Sequence, residues 1–123
     1  NVRKYLNSDN HEPKLYQEVY FSNLLPLKCK KWKCNKRQAQ NITVVLGRVA
    51  VICISRESDG FVYEEFLIDE KENFGVLEIP VGVIYGLFAD AQGAVIVNSL
   101  AKTFSDNDAE VISQNFEITP KLL

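Results

Sequence analysis

Closely spaced turn signals constrain the fold of this chain more than any other feature. Clusters of Gly, Pro, Asn, Asp or Ser recur about every ten residues, which leaves room only for short elements. Runs rich in Val, Ile, Tyr and Phe lie between them, at 15–21, 42–46, 49–54, 61–68, 76–79, 83–88 and 94–97. A short helix is predicted only over 109–116, with Asp106 or Asp108 as its cap. The pattern predicts an all-β sandwich or barrel.

Length and charge narrow the class of protein. A chain of 123 residues with 46% apolar residues is predicted to form one domain with a real core. The net charge of −2 argues against nucleic acid as a partner. No apolar run approaches the ~18 residues that span a bilayer, and the N-terminal stretch lacks a signal-peptide core, so no membrane partner is expected.

The three cysteines predict a reducing compartment. Cys29, Cys34 and Cys53 cannot all pair within one chain, and the spacing of the first two suits a zinc site poorly. Free thiols in the cytoplasm are therefore expected.

Positive charge is concentrated between residues 28 and 37. If this segment is a strand, Lys33 and Arg37 share one face with Asn35, while Lys30 and Trp32 share the other. A basic face turned into a barrel mouth would bind an anion. The alternative is a solvated edge strand on which lysines oppose aggregation.

Two segments have the spacing of the cupin motifs. Residues 33–40 with Gly47 resemble the first motif, and residues 75–85 resemble the second. The four positions that usually carry His, His, Glu and His hold Lys33, Asn35, Gln40 and Tyr85. These side chains are poor ligands for a transition metal, so neither a metal nor another cofactor is expected.

A wider set of segments resembles the dTDP-4-dehydrorhamnose 3,5-epimerase family, in particular its short branch with a W-K-x-H-K core. The segments are 18–22, 31–37, 40–41, 47–49, Arg56, 79–82 and 98–110, so the resemblance covers roughly residues 15–115. It implies an RmlC-like double-stranded β-helix, which is a cupin or jelly-roll barrel. The implied organisation is a single domain over 1–123, with an N-terminal extension (1–14), a barrel (15–115) and a C-terminal tail (116–123).

The resemblance also implies a chemistry. It implies that the ligand is a nucleotide sugar of the dTDP-4-keto-6-deoxyhexose type and that the protein is a homodimer. The implied reaction needs no metal or redox cofactor. In the family a histidine at the place of Asn35 removes a proton next to the ketone, and a tyrosine returns one on the other face. Asn35 cannot act as that base at pH 7, although it can hydrogen-bond a ketone or enolate oxygen.

Other candidate residues have two interpretations each. Tyr85 is either the proton donor at the barrel mouth or a buried core tyrosine. Lys33 is a substitute base only if it is desolvated beside other cations. Arg56 matches a family arginine that meets the ligand, but it is also a candidate surface charge next to a turn.

The remaining polar candidates are ligand-binding residues by position. Arg37 lies on the basic face. Gln38 and Gln40 either bind sugar hydroxyls or form a polar ladder on an exposed strand. The only histidine, His11, lies outside the motifs and is expected at the surface.

Three functions follow from these observations. The first is a sugar-nucleotide epimerase or isomerase of deoxysugar or polysaccharide biosynthesis with a rebuilt base. The second is a catalytically silent cupin that binds a nucleotide sugar or another anionic small molecule. The third is a structural subunit.

Overall fold

The computed structural model describes residues 2–6, 16–101 and 109–123, and all regular structure in these ranges is β-strand. The all-β prediction is therefore confirmed. The strands are β1 (Arg3–Leu6), β2 (Glu18–Leu24), β3 (Cys29–Asn35), β4 (Gln40–Glu57), β5 (Gly60–Asp69), β6 (Gly75–Ile79), β7 (Ile84–Leu100) and β8 (Ala109–Val111).

Two long antiparallel strands, β4 and β7, run through both layers of the barrel. Residues 94–100 of β7 pair with β2 and with the first half of β4, beyond which lie β6 and β1. Residues 84–89 of β7 pair with β3 and with the second half of β4, while β8 and β5 form the edges of this layer. The predicted runs at 42–46 and 49–54 are thus one strand, as are those at 83–88 and 94–97.

Glycines allow both long strands to bend where they pass between the layers. Gly47 and Gly93 have φ angles of 88° and 77°, which side chains rarely adopt. A Cβ atom on Gly47 would lie 2.3 Å from the carbonyl oxygen of Gly93, so the two backbones meet where no side chain fits.

Apolar side chains form two clusters on opposite faces of the strands. The cluster inside the barrel includes Ile42, Val44, Val51, Leu77, Ile79 and Ile96, all buried. The outer cluster lies on the other face of β3, β4 and β7 and contains Trp32, Ala50, Ile52, Ile54, Ile84, Phe88 and Phe116. The indole ring of Trp32 lies edge-on to the rings of Phe88 and Phe116, with centroids 5.8 and 5.7 Å apart.

The C-terminal segment closes the outer cluster. Ile112 and Ile118 pack against it, and the backbone N–H groups of Lys121 and Leu122 donate to the Glu65 carboxylate at 2.6–2.9 Å. Residues in the predicted tail therefore help to bury Trp32.

The short helix predicted over 109–116 is wrong. Residues Ala109–Val111 form β8, which pairs with Lys33, Cys34 and Asn35 at the edge of β3. The open ladder of β3 supplies backbone partners that outweigh the weak local preference for a helix. The predicted caps Asp106 and Asp108 lie outside the described residues, as does His11.

Strand β1 pairs with β6 throughout its length, although its residues fall in the predicted N-terminal extension. Among the described residues, no helix is long and apolar enough to cross a membrane.

Candidate functional site

The four positions of the cupin ligand frame converge on one cavity at the end of the barrel interior. Lys33, Asn35, Gln40 and Tyr85 all line a space of about 60 Å³, together with Gln38 and neighbours from β2, β7 and β8. Lys33 on β3 pairs directly with Tyr85 on β7. Because side chains alternate along β3, Lys33 and Asn35 face the cavity whereas Cys34 faces the outer cluster.

A second cavity of about 170 Å³ adjoins the first. It is lined by Tyr20, Ser22, Lys30, Lys33, Gln40, Tyr85, Leu87 and Asn98. Tyr20, Lys33, Gln40 and Tyr85 line both spaces. The motif frame gave no indication of Tyr20, Ser22 or Asn98, because these residues lie on strands outside the two motifs.

A hydrogen-bond network of amides and hydroxyls connects the strands in the cavity walls. The side-chain nitrogen of Gln40 donates to Oδ1 of Asn98 at 2.8 Å and lies 3.4 Å from the Tyr20 hydroxyl. Asn98 Nδ2 donates to Ser22 Oγ at 2.9 Å and to the Tyr20 carbonyl oxygen at 3.4 Å. Gln40 and Asn98 are both buried, so this network fixes polar groups inside the barrel.

Asn35, in the first cupin segment, accepts hydrogen bonds from two residues of the second. The Tyr85 hydroxyl donates to Asn35 Oδ1 at 3.4 Å, and the Gly82 N–H donates to the Asn35 carbonyl oxygen at 3.0 Å. Burial, with a smaller contribution from Tyr20, raises the pKa of Tyr85 far above its usual range. The phenol therefore stays protonated at neutral pH and can donate a proton or a hydrogen bond, but it cannot remove a proton.

Two lysines are the only charged residues among the described ones that line either cavity. Lys33 lines both, and Lys30 lines the larger one. The prediction that Lys30 lies on the face opposite Lys33 is wrong, because the register with β7 shifts between these residues and reverses the alternation. Both side chains are exposed, as expected at the edge of the site.

The other predicted ligand residues divide between the two faces. Gln38 is buried and lines the smaller cavity. Arg37 is exposed in the bend after β3 and lines neither cavity. Arg56 shares the outer face of β4 with Ile52 and Ile54, and its charge acts on the pKa of the Cys34 thiol, which burial raises overall.

The donor set does not fit a metal. Lysine, two amides and a phenol occupy the ligand positions, and none of them is a strong ligand at neutral pH. Within 2–6, 16–101 and 109–123 no three His, Cys, Asp or Glu residues lie close enough to hold an ion. The same groups suit sugar hydroxyls, which need neutral donors and acceptors.

Solved structures share this architecture. A dTDP sugar isomerase from Desulfovibrio desulfuricans G20 is 22% identical with a TM-score of 0.76, and the match covers 94% of this chain and 82% of that one. The chain has the RmlC-like cupin fold. The 3,5-epimerase RmlC from Legionella pneumophila Philadelphia 1, in complex with dTDP-4-keto-L-rhamnose, is 11% identical with a TM-score of 0.67, over 90% of this chain and 71% of that one.

A third structure is a double mutant of a 3′-monoepimerase from Streptomyces bikiniensis in complex with dTDP. In it, asparagine replaces a histidine and phenylalanine replaces a tyrosine. It is 12% identical to this chain with a TM-score of 0.68. The match covers 77% of this chain and 50% of that one, so this chain spans about half of its length. Neither a scan against protein-family models nor a search of curated proteins finds a match. The resemblance in sequence is thus confirmed at the level of the fold.

Proposed function

We propose that this chain binds a nucleotide sugar of the dTDP-4-keto-6-deoxyhexose type in the two adjoining cavities and does not epimerise it. The observation that carries the proposal is the composition of the cavity walls. Amides, phenols and aliphatic side chains line the interior, two lysines lie at its edge, and no imidazole or carboxylate of the described residues lines either space.

The cavity walls suit both halves of such a ligand. Gln38 and Gln40 offer amide groups to sugar hydroxyls, while Lys30 and Lys33 offer positive charge to the diphosphate. The complexes of the Legionella epimerase with dTDP-4-keto-L-rhamnose and of the Streptomyces mutant with dTDP support this ligand class.

Epimerisation requires a base, and none of the candidates is suited to the task. Asn35 has no basic lone pair. Tyr85 is held protonated by burial. The Lys33 side chain is exposed, so it lacks the desolvation that a lysine base requires.

The Streptomyces mutant supports binding of dTDP by a protein in which asparagine has replaced a histidine, since that mutant is in complex with dTDP. In this chain Asn35 stands where the family resemblance implies a histidine.

Titration with dTDP tests the proposal, with binding measured by calorimetry and by the rise in melting temperature. Lys33→Met should weaken dTDP binding about tenfold, because it removes a charged partner of the diphosphate. Lys31→Met is the matched control, since Lys31 is exposed on the same strand but lines neither cavity. Absence of dTDP binding by the native chain would contradict the proposal and favour a structural subunit.

We also propose that the chain is a cytoplasmic homodimer built on a sheet-to-sheet contact. On the outer face of the β2 layer, Phe21 and Val19 are 69% and 55% exposed, and Phe21 lies in register with Val97 and Thr43. Burying this apolar face would favour a second copy. Light scattering that shows only monomer at high protein concentration would contradict the dimer. The three free thiols favour a reducing compartment.

A further inference from the structure

One buried polar atom in the cavity wall has no partner among the described residues. The Gln40 side chain is 5% exposed and lines both cavities. Its Oε1 atom is nevertheless buried and accepts no hydrogen bond from the described residues. Leaving a buried acceptor unpaired is unfavourable, so this position calls for a hydrogen-bond donor.

The orientation of the Gln40 amide follows from its neighbours. The Tyr20 backbone carbonyl can only accept, so the group of Asn98 that faces it is the Nδ2 donor. Asn98 then presents Oδ1 to Gln40, and the Gln40 group that faces this acceptor is Nε2. The remaining group of Gln40 is therefore the oxygen.

Gln40 is one of four side chains that line both cavities. A sugar ring bound in these cavities therefore contacts the Gln40 side chain. Because Oε1 itself is buried, the sugar hydroxyl reaches it when neighbouring side chains shift as the ligand binds.

We infer that Gln40 Oε1 accepts a hydrogen bond from one hydroxyl of the bound sugar, and that Asn98 is the positioning residue that holds the oxygen toward it. This inference rests on the proposed function and adds a specificity to it. The site selects a nucleotide sugar that carries a hydroxyl at the ring position next to Gln40 over the analogue that lacks it. A deoxy analogue leaves the buried oxygen unpaired and loses the hydrogen bond.

The native chain provides the first test. The affinities for dTDP-glucose and for its 2- and 3-deoxy analogues are measured by calorimetry, because a 4-keto-6-deoxy sugar has hydroxyls only at these two positions. One analogue should bind about tenfold or more weakly than dTDP-glucose, because a single hydrogen bond to a buried acceptor is lost. If dTDP-glucose binds and no analogue differs from it by threefold, the inference is overturned while the proposed function stands. If neither dTDP nor dTDP-glucose binds, both are overturned.

Variants of the two amides assign the effect to Gln40. Gln40→Met should discriminate less than threefold between dTDP-glucose and the disfavoured analogue, as measured by the ratio of the two affinities in the variant. Retention of the full discrimination would overturn the inference.

Asn98 offers a matched pair of variants. In Asn98→Asp the carboxylate still accepts a hydrogen bond from Gln40 Nε2, so the variant should keep the discrimination between dTDP-glucose and the disfavoured analogue. In Asn98→Leu the Gln40 amide loses this partner, so the discrimination should fall. A purely structural role of Asn98 would lower stability in both variants without changing the ratio of affinities, and that result would overturn the positioning role. This pair also decides the matter if Gln40→Met fails to fold.

Discussion

The two faces of β3 have different tasks, although their residues alternate along one short strand. Lys33 and Asn35 face the cavities inside the barrel, where amides and phenols contribute to the walls and a buried acceptor lacks a partner among the described residues. Trp32 and Cys34 face the outer cluster, which is apolar and closed by the C-terminal segment. The basic segment that looks uniform in the sequence is thus divided by the pleat. Substitutions on the inner face should alter binding and chemistry, whereas those on the outer face should alter stability.

The largest effect is expected on the outer face. Trp32 is 2% exposed and packs against Phe88 and Phe116. Trp32→Ala should lower the free energy of unfolding by about 3–5 kcal/mol, as large-to-small changes in cores do. Denaturant unfolding measures this loss, and the folded fraction should still bind dTDP with native affinity. A loss below about 1 kcal/mol would show that the outer cluster contributes little.

On the inner face, placing a base at position 35 should change chemistry and leave stability nearly unaltered. Asn35→His is expected to raise proton exchange next to the ketone of a dTDP-4-keto-6-deoxy sugar about 100-fold or more, since acid–base catalysis contributes at least that much. Mass spectrometry in heavy water measures the exchange. An Asn35→His variant that binds the sugar without increased exchange would contradict the assignment of position 35 as the place of the base.

The smallest effect concerns pH dependence. Burial raises the pKa of Tyr85, so the unfolded chain releases this proton near pH ~10 while the folded chain retains it. The free energy of unfolding therefore keeps its full value below pH ~10, where Tyr85 is protonated in both states. It decreases as the pH rises from there toward the pKa of Tyr85 in the folded chain. Burial also raises the pKa of the Cys53 thiol, to about 12, and acts in the same direction.

Tyr85→Phe should therefore make the free energy of unfolding decrease less steeply at alkaline pH, by at most about 1.4 kcal/mol per pH unit. Thermal unfolding between pH 9 and 11 measures the slopes of both proteins. Equal slopes for the native chain and the variant would contradict the burial of an un-ionised Tyr85.

The sequence predicted the fold and the convergence of the cupin positions because both depend on spacing. Turn residues set the strand lengths, and the motif frame brings Lys33, Asn35, Gln40 and Tyr85 to one cavity. The likeness to solved epimerase structures confirms the fold, while the roles of these residues remain proposals.

The parts that could not be predicted depend on contacts between distant strands. Asn98 meets Gln40 across the pairing of β4 and β7, and neither cupin segment contains it. Lys30 faces the cavity because of a register shift that strict alternation does not anticipate. Strand β8 forms because the edge of β3 offers it a partner, which local sequence cannot reveal.

Deuterium exchange by the native chain tests most directly the claim that the site binds without epimerising. The protein is incubated in heavy water with dTDP-4-keto-6-deoxyglucose at a concentration that saturates the site, and incorporation next to the ketone is followed by mass spectrometry. We expect binding with exchange no faster than in a protein-free control. Exchange at about 1 per second or faster would show that another group, with Lys33 as the first candidate, acts as the base, and that the chain is an active epimerase or isomerase.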